Sequence, residues 1–403
     1  MEACGLIVEY NPFHNGHVYH IEQAKKVSQT DCMVAVMSGS FLQRGEPAII
    51  DKYHRTKAAL KVGIDIVLEL PYVYAVQNSD FFAQGAVQVL NNIGVSSICF
   101  GSESGDISTF LQSYDNYKKK EQQFNKYVKI ELANGLSYPE ASKQAYQQIG
   151  LTTTNMDLTK PNNILGFSYV KSILDQKLNI KPLTIERSKN QFHDVDITSR
   201  IASATSIRKK LFEQEKLTPN TMDTMPEETV AQLSKYKNHN GAWHQWELYF
   251  PLLQYRVQSM ALAQLKEIHG VVEGLEHRIK QTANRATSFY NWVELIKTKR
   301  YTWTRIQRIF THILVHSTID EIHPLLNRSI PYIRILGFNQ NGKRYLNKIK
   351  KDLSVPIVTN FRKNMNPLLD LEERASQAYY SIFDTNTKRR LFQQELTAPI
   401  ILG

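Results

Sequence analysis

The front half of the chain alternates two hydrophobic patterns, and this alternation restricts the fold more than any other feature. Uninterrupted apolar runs, typical of buried strands, are separated by stretches with the apolar spacing of helices. The runs predict strands at 5–10, 32–39, 65–71, 96–104 and 180–188, and the stretches predict helices at 18–28, 56–64, 81–94, 162–176 and 203–214. Strands that are apolar throughout indicate a parallel sheet covered by helices on both faces. The predicted fold class is therefore α/β, with a Rossmann-like open sheet that ends near residue 190.

The pattern changes at two places further along the chain. From about 107 to 150 it becomes helical and rich in Lys, Gln and Tyr, which predicts a helical insertion that covers the site. The polar segment 217–229 contains two prolines and predicts a domain boundary. We therefore expect an α/β domain at 1–216 and a mostly helical region at 217–403. That region contains two short apolar runs, at 330–338 and 355–360.

Charge is distributed unevenly along the 403 residues. The chain has 49 Lys and Arg against 38 Asp and Glu, a formal charge of +11, but residues 1–150 hold 13 basic and 15 acidic side chains. The remaining residues therefore carry +13. A basic surface suits a polyanion such as nucleic acid or an anionic membrane, and the alternative is a basic protein without such a partner. An apolar content of 42% excludes a disordered tail or a fibrous repeat.

Three features predict a soluble, cytoplasmic protein. No apolar run approaches the roughly 20 residues that cross a bilayer, so no membrane association is predicted. The first residues carry acidic Glu2 and Glu9 where a signal peptide would be basic. Cys4, Cys32 and Cys99 each lie in an apolar run, which predicts reduced thiols in the core.

The loop after the first predicted strand reads YNPFHNGH, residues 10–17, and leads directly into a helix. Open parallel sheets bind ligands at the carboxyl ends of their strands, and the N-terminus of a helix offers free backbone N–H groups to an anion. His14 and His17 add imidazole donors, and Gly16 allows close approach of a ligand. We therefore predict that the loop holds a triphosphate and that both histidines are catalytic, because they stabilise charge on the α-phosphate as pyrophosphate leaves.

Two other interpretations of these histidines stay open. Two histidines in this spacing can simply cap or pack the helix, and His14, His17 and His20 together lie near one helical face that could hold a metal. A structural zinc site usually has four ligands, and no cysteine or carboxylate cluster stands beside these residues. Mg²⁺ that arrives with nucleotide phosphates needs few protein ligands and fits the loop better, so no metal site made of protein side chains is predicted.

A second motif, SATSIR at 203–208, predicts the start of another helix with Ser203 as its cap. The hydroxyl groups of Ser203 and Thr205 and the guanidinium of Arg208 would form a second phosphate clamp, and an ordinary helix cap is the alternative. Together the two motifs resemble the signatures of the HIGH-type nucleotidyltransferase superfamily. That superfamily often has a second serine where this chain has Ala204, so one hydroxyl contact is absent.

Further segments narrow the resemblance to the bacterial tRNA(Met) cytidine acetate ligase family. They are VEYNPFHNGHVYH (8–20), MSGSFLQRGEPA (37–48), ELPYVYAVQNSDFFAQGAV (69–87), FGSESGD (100–106), PNNILGFSYVKS (161–172), KRYTWTRIQR (299–308) and YIRILGFNQNGK (332–343). The resemblance implies that ATP and acetate form acetyl-adenylate and pyrophosphate. The acetyl group then passes to N4 of the wobble cytidine of elongator tRNA(Met), which gives N4-acetylcytidine without acetyl-CoA.

The resemblance also implies which residues contact ATP. They are Ile7, Val8, Glu9, Tyr10, Asn11, Pro12, Phe13, His14, Asn15, Gly16, His17, Val18, Tyr19, His20, Gly101, Asn162 and Arg187, and the second motif adds Ser203, Thr205 and Arg208. Gly101 ends a strand where a side chain would collide with the nucleotide. Asn163 is an alternative to Asn162 as the contacting amide. Because acetate is already a nucleophile at pH 7, we expect no dedicated base for the first step.

The basic part of the chain has its own candidate surface. Residues 291–350 hold 11 Lys and Arg against three acidic residues, and the stretch 297–308 interleaves five cations with Tyr301 and Trp303. Cations follow phosphates and an exposed aromatic ring stacks on an unpaired base, so we predict a tRNA-binding face that 287–292 and 338–344 extend. The alternative is a helix whose aromatic residues are core and whose charges are solvated.

Two other functions are alternatives to acetate ligation. A nucleotidyltransferase could join AMP to a phosphorylated cofactor precursor, but such an enzyme needs little beyond the first domain. An RNA-binding protein without catalysis would leave both phosphate motifs unexplained. The sequence indicates no protein partner.

Overall fold

A computed structural model describes residues 1–152, 156–187, 201–361 and 366–403. The described residues form one eight-stranded sheet with the order β5-β4-β1-β2-β3-β6-β7, and β8 pairs with β6. Its strands are β1 Ala3–Val8, β2 Cys32–Ser38, β3 Ile66–Leu70, β4 Ser97–Ser102, β5 Lys181–Glu186, β6 Ile333–Phe338, β7 Ile357–Val358 and β8 Ile400–Ile401. The first five strands pair in parallel, which confirms the predicted α/β sheet.

The prediction that the sheet ends near residue 190 is wrong. β5 is one edge, but beyond β3 the sheet continues with three strands from the second half of the chain. β6 pairs antiparallel with β3, with Ile66 opposite Phe338. The two short apolar runs at 330–338 and 355–360 supply β6 and β7. Strands so distant in sequence leave no local signal of the strand that they will join, so sequence periodicity gives their existence and not their partner.

Helices cover both faces of the front sheet. They are α1 Asn15–Ser28, α2 Lys52–Lys61, α3 Tyr72–Ala75, α4 Ser79–Asn92, α5 Ile107–Ala133, α6 Tyr138–Gln148, α7 Pro161–Asp175 and α8 Ala204–Gln214. The pair α5 and α6 forms the helical segment that was predicted at 107–150, and α5 packs on α6 and on α7. The predicted capping residue of α8, Ser203, is confirmed, since its Oγ accepts a hydrogen bond from the backbone N–H of Ser206.

The described second half is mostly helical, as predicted. Its helices are α9 Pro219–Met222, α10 Glu227–Asn240, α11 Trp246–Ser259, α12 Leu262–Glu267, α13 Leu275–Ala283, α14 Phe289–Ile296, α15 Trp303–Val315, α16 Ile319–Leu326, α17 Gln340–Ile349, α18 Pro367–Tyr379 and α19 Thr385–Phe392. Aromatic rings join α14 to α15, with Trp292 and Phe310 centroids 4.7 Å apart. This packing fixes the position of α15.

Helix α15 is held against the loop that follows β2. Gly45 in that loop has φ +77°, and an added Cβ would lie 2.4 Å from the backbone nitrogen of Arg308. The carbonyl of Gly45 accepts hydrogen bonds from Trp246 Nε1 at 3.0 Å and Thr311 Oγ1 at 2.9 Å. Only glycine permits this backbone conformation and this close approach without strain. The loop after β2 and the start of α15 are therefore one rigid corner.

A buried ionic cluster joins the sheet to the end of the chain. Lys52 Nζ lies 2.5 Å from Glu69 Oε1 and 2.9 Å from Glu395 Oε1, and guanidinium nitrogens of Arg334 lie 3.0 and 2.6 Å from oxygens of the same two carboxylates. Breaking a buried pair leaves an uncompensated charge and costs several kcal/mol, about 3–5. The cluster thus fixes β3 and β6 to the C-terminal segment.

Two further predictions concern the cysteines and membrane-spanning helices. Cys4, Cys32 and Cys99, all within the described part of the chain, are buried and form no disulfide, as predicted. Across the described ranges, no helix combines the length and the apolar character that crossing a bilayer needs.

Candidate active site

A cavity of about 860 Å³ opens at the carboxyl ends of the front strands. It is lined by both predicted motifs, by α6 and by α15 of the helical half. The predicted site residues on its wall are Ile7, Val8, Glu9, Tyr10, Asn11, His14, Gly16, His17, Tyr19, His20, Gly101, Asn162, Arg187, Ser203, Thr205 and Arg208. Sixteen of the twenty predicted residues therefore meet in one cavity.

Four residues of the predicted run do not line the cavity. Phe13 is buried in the core and Val18 packs on the same apolar cluster, while Asn15 turns away and bonds the backbone of Asp223 and Thr224. Pro12 is also absent from the wall. A loop must bury some side chains to present others, and sequence order alone does not tell which ones point inward.

His14 and His17 are held by the backbone of the loop itself. His14 caps α1, since its Nδ1 accepts a hydrogen bond from the N–H of Gly16 at 3.1 Å. His17 Nδ1 accepts a hydrogen bond from the N–H of His14, also at 3.1 Å. A neutral imidazole that accepts at Nδ1 carries its proton at Nε2. Both histidines are thereby fixed as Nε2–H donors, which is the tautomer that a phosphate oxygen requires.

Burial keeps the histidines of the loop neutral. Burial, followed by the charges of Arg187 and Arg208, lowers the pKa of His14 to about 3. Burial and then His14 lower the pKa of His17 well below its usual value, and burial lowers the pKa of His20 to about 4. Nearby arginines supply the positive charge of the site, and the imidazoles supply oriented neutral donors.

The capping interpretation of these histidines is confirmed, and the catalytic interpretation stays a prediction that this geometry allows. The Nδ1 atoms cap and shape the loop, which leaves the Nε2–H groups for a ligand. An added Cβ at Gly16 would lie 2.9 Å from Cε1 of His14, so the glycine makes room for the imidazole. Among the described residues no group of three His, Cys, Asp or Glu is arranged to hold a metal ion.

Arg208 ties the second motif to the first. Its guanidinium donates to the carbonyl of Asn11 at 2.8 Å and to Glu46 Oε2 at 2.8 Å. Thr205 is exposed beside it, at the N-terminus of α8. The N-termini of α1 and α8 therefore open on the same cavity, and their aligned peptide dipoles favour an anion there.

Of the two amides that the sequence offers as nucleotide contacts, Asn162 lies on the cavity wall and Asn163 does not. Asn162 lines the cavity and its Oδ1 accepts a hydrogen bond from Arg187 at 3.3 Å. Asn163 faces the other way, since its Oδ1 accepts hydrogen bonds from the backbone of Glu103 and Ser104. An added Cβ at Gly101 would lie 3.0 Å from Cγ of Arg187, so this glycine makes room for the arginine that faces the cavity.

The predictions from sequence missed part of the cavity wall. The additional lining residues include Gln43, Gln77, Tyr138, Tyr146, His269 and His312. None belongs to the two phosphate motifs, although Gln43 and Gln77 lie in segments that carry the family resemblance. They meet because α6, α15 and the residues that follow α12 line one cavity with the ends of the strands. In the sequence, His312 lies among apolar residues with helical spacing. This pattern predicts a core histidine as readily as a site residue.

The basic stretch 297–308 divides between cavity and surface. Arg300, Arg305 and Arg308 line the cavity. Tyr301 is buried and Trp303 is partly buried in the core, so neither is the exposed stacking ring that was expected. The ring that is exposed belongs to Tyr290, which is 62% exposed and lies 5.4 Å from Trp303 between ring centroids.

The expectation that 338–344 extends this basic face is wrong. Asn339 caps α17 and donates to Asp65 Oδ1 at 2.9 Å, and Asn341 donates to the carbonyl of Asp31 at 2.7 Å. Asp65 and Asp31 immediately precede β3 and β2, so this segment lies at the amino ends of the strands. The cavity lies at the carboxyl ends of these strands, which is the opposite end of the sheet.

Comparison with known proteins agrees with this geometry. The model of the family described as HIGH Nucleotidyl Transferase matches residues 1–395. The tRNA(Met) cytidine acetate ligase of Oceanobacillus iheyensis is 56% identical over 402 residues and all of both chains, and that of Bacillus subtilis is 45% identical over 94% of this chain and 92% of the relative. Among solved structures, apo Thermotoga maritima TmcAL covers both chains fully, with a TM-score of 0.91 and 33% identity. The same protein bound with alpha-thio ATP has a TM-score of 0.89.

The near-complete family match and the two helix N-termini at one cavity define the class, which is the HIGH nucleotidyl transferases. The full-length identities define the group within that class. The chain belongs to the tRNA(Met) cytidine acetate ligase family, whose members are enzymes that ligate acetate.

Proposed function

We propose that this protein activates acetate with ATP and transfers the acetyl group to N4 of the wobble cytidine of elongator tRNA(Met). One observation carries the proposal. Two Nε2–H donors and two helix N-termini lie on a cavity whose wall from the basic half of the chain includes three arginines. The first wall suits a triphosphate and the second suits further anions, and the relatives named above are acetate ligases that act on tRNA.

In the first step, a carboxylate oxygen of acetate forms a bond to the α-phosphorus of ATP, and the bond from that phosphorus to the bridging oxygen breaks. Pyrophosphate leaves, and no proton has to be transferred. His14 and His17 donate to phosphate oxygens where charge builds up, and their neutral state at pH 7 is maintained by burial. Arg187 and Arg208 line the same cavity and balance the charge of the departing group.

In the second step, N4 of cytidine attacks the acetyl carbonyl, the bond to AMP breaks, and N4 loses one proton to AMP or solvent. The amine is a poor nucleophile because its lone pair is delocalised into the ring, so proximity has to supply much of the rate. The base must leave its stack to enter the cavity. Phe81, Tyr138 and Tyr146 offer it flat aromatic surfaces on the cavity wall.

Mg²⁺ fits the site as a companion of ATP. The cavity wall carries few carboxylates, and one of these, Glu46, is already paired with Arg208 at 2.8 Å. Such a site suits an ion that keeps most of its waters and binds phosphate oxygens. The ion would neutralise charge on the phosphates, and the protein acts in the cytoplasm, where its tRNA substrate is found.

The test is to incubate the pure protein with ATP, labelled acetate and total bacterial tRNA, and then to digest the RNA to nucleosides. Label in N4-acetylcytidine that depends on ATP supports the proposal. Pyrophosphate exchange that depends on a phosphate ester and not on acetate would show instead a nucleotidyltransferase that joins AMP to a phosphorylated precursor. Binding of tRNA without any use of ATP would show an RNA-binding protein.

A further inference from the structure

Among the described residues, Arg308 stands on the cavity wall without a carboxylate within 4 Å. The hydrogen bond of its Nη1 to the carbonyl of Gln43 measures 3.4 Å, which is longer than the usual range for such bonds. Burial, and then the charge of Arg305, lowers the pKa of Arg308 to about 10. The charged state of this side chain is therefore poorly solvated.

Other arginines of the same cavity differ in this respect. Arg208 is paired with Glu46, and Arg300 forms an ion pair with Glu273. Arg305 lies over the ring of Tyr301, with its guanidinium carbon 4.8 Å from the ring centroid. Since charges that are largely withdrawn from water are normally paired, the half-buried guanidinium of Arg308, which has no carboxylate partner among the described residues, points to an anion that enters the cavity.

A second donor without an acceptor lies close by. Gln77 Nε2 donates to His269 Nε2 at 2.9 Å, so a neutral His269 carries its proton on Nδ1. That Nδ1 atom is buried and, among the described residues, has no hydrogen-bond partner. Burial, then His323 and Arg308, lowers the pKa of His269 to about 4. Arg308 and His269 thus line the same cavity, and each carries a donor that lacks a close acceptor among the described residues.

Apolar side chains line the same cavity as this pair of donors. Leu42, Val76 and Ile309 are buried and line the cavity in the segments that carry Gln43, Gln77 and Arg308. Their neighbourhood suits a methyl group and disfavours a phosphodiester, which is polar on every side.

We infer that Arg308 and His269 form the subsite that binds the carboxylate of acetate before it attacks ATP. The inference rests on the proposed function and deepens it. The position suits the reaction, because the loop that accepts the hydrogen bond of Arg308 also contacts the nucleotide loop. The N–H of Gln43 donates to Glu9 Oε1 at 2.7 Å, and Glu46 holds Arg208. The docking of Gly45 against α15 fixes the whole corner.

The test is acetate-dependent exchange of labelled pyrophosphate into ATP, measured without tRNA, for Arg308→Met, Arg308→Lys and His269→Ala. We expect the KM for acetate to rise at least about 10-fold for Arg308→Met, because a charge-assisted, two-pronged contact is lost. Arg308→Lys restores charge but not the planar fork, so its KM should lie between. The dissociation constant of a non-hydrolysable ATP analogue should stay within about two-fold. Arg389→Met, an exposed arginine that does not line the cavity, is the matched control.

Four results would count against the subsite. An unchanged acetate KM in folded Arg308→Met overturns it. An unchanged acetate KM with weaker tRNA binding and a shallower salt dependence assigns Arg308 to an RNA phosphate instead. A large loss of affinity for the ATP analogue assigns it to the nucleotide. If Arg308→Met does not fold, His269→Ala decides, and an unchanged acetate KM there also overturns the subsite. Lack of acetate-dependent exchange in the unsubstituted protein would instead contradict the proposed function itself.

Discussion

The two walls of the cavity are built in different ways. On the wall of the nucleotide loop, groups hold each other over a few residues, as when His17 accepts a hydrogen bond from the backbone of His14. On the opposite wall, Arg308 reaches the cavity only because α15 packs on a loop 265 positions earlier in the chain. The first wall is thus set by local sequence, and the second by tertiary docking. Substitutions can therefore affect the proposed catalytic donors and the proposed substrate-binding cations separately.

The largest effect is expected on the local wall. His17→Ala removes one oriented donor and should cost about 2–4 kcal/mol of transition-state stabilisation, which is roughly a 30- to 1,000-fold slower formation of acetyl-adenylate. The rate of acetate-dependent pyrophosphate release measures it. The exposed His277→Ala serves as the control for loss of a histidine as such. Near-normal release by folded His17→Ala would exclude the histidine from catalysis.

The docking of the second wall can be tested through two glycines. Gly45 and Gly135 both have positive φ, but an added Cβ meets the backbone of Arg308 at Gly45 and nothing within 4 Å at Gly135. Gly135→Ala should cost about 1 kcal/mol for the strained backbone alone. Gly45→Ala should cost about 2–3 kcal/mol, because overpacking is added.

Chemical denaturation gives both free energies of unfolding. Gly45→Ala should also raise the KM for acetate more than it weakens binding of the ATP analogue, since it displaces Arg308 and leaves His14 and His17 in place. Equal costs for the two substitutions would mean that α15 is not held by this contact.

The difference between the walls also explains what could be predicted from the sequence. The five parallel strands, the capping residue Ser203 and most of the nucleotide loop follow from local patterns. β6 has as clear an apolar run as β1, yet its place beside β3 depends on distant pairing, and the sheet was expected to end too early. His269 and Gln77 belong to neither phosphate motif, and only the folded chain brings them together.

The neutral histidines of the local wall make stability depend on pH. His14 has a folded pKa of about 3, against an unfolded value of about 6.5, so below pH 6.5 the unfolded state binds a proton that the folded state does not. Its contribution is fully present above pH 6.5 and is lost as the pH falls from there toward 3. Each such histidine adds about 1.4 kcal/mol per pH unit to the slope in that window.

Substituting one histidine isolates this contribution. His14→Gln should reduce the slope of unfolding free energy against pH by about 1.4 kcal/mol per unit between roughly pH 4 and 6. The slope is obtained from denaturation curves at several pH values. His277→Gln, at a position that is exposed on α13, is the control for replacing a histidine as such. An identical slope in His14→Gln would show that His14 titrates in the folded state.

The smallest effect is expected at the outer edge of the helical wall, where RNA would bind. Lys299 is exposed, whereas Arg300 is partly committed to Glu273. Each phosphate contact that is lost flattens the dependence of log K on log salt by about 0.7–0.9. Lys299→Ala combined with Arg300→Ala should therefore flatten the slope for tRNA by between one and two contacts, about 0.7–1.8 units, with Lys299→Ala alone giving most of it. Lys181→Ala, exposed on β5, is the control for removal of a surface charge.

Acetate-dependent pyrophosphate exchange should persist in the double variant, because His14, His17 and Arg308 are untouched. If exchange and tRNA binding fell together, the two walls would not be separable, and the comparison drawn between them would be wrong.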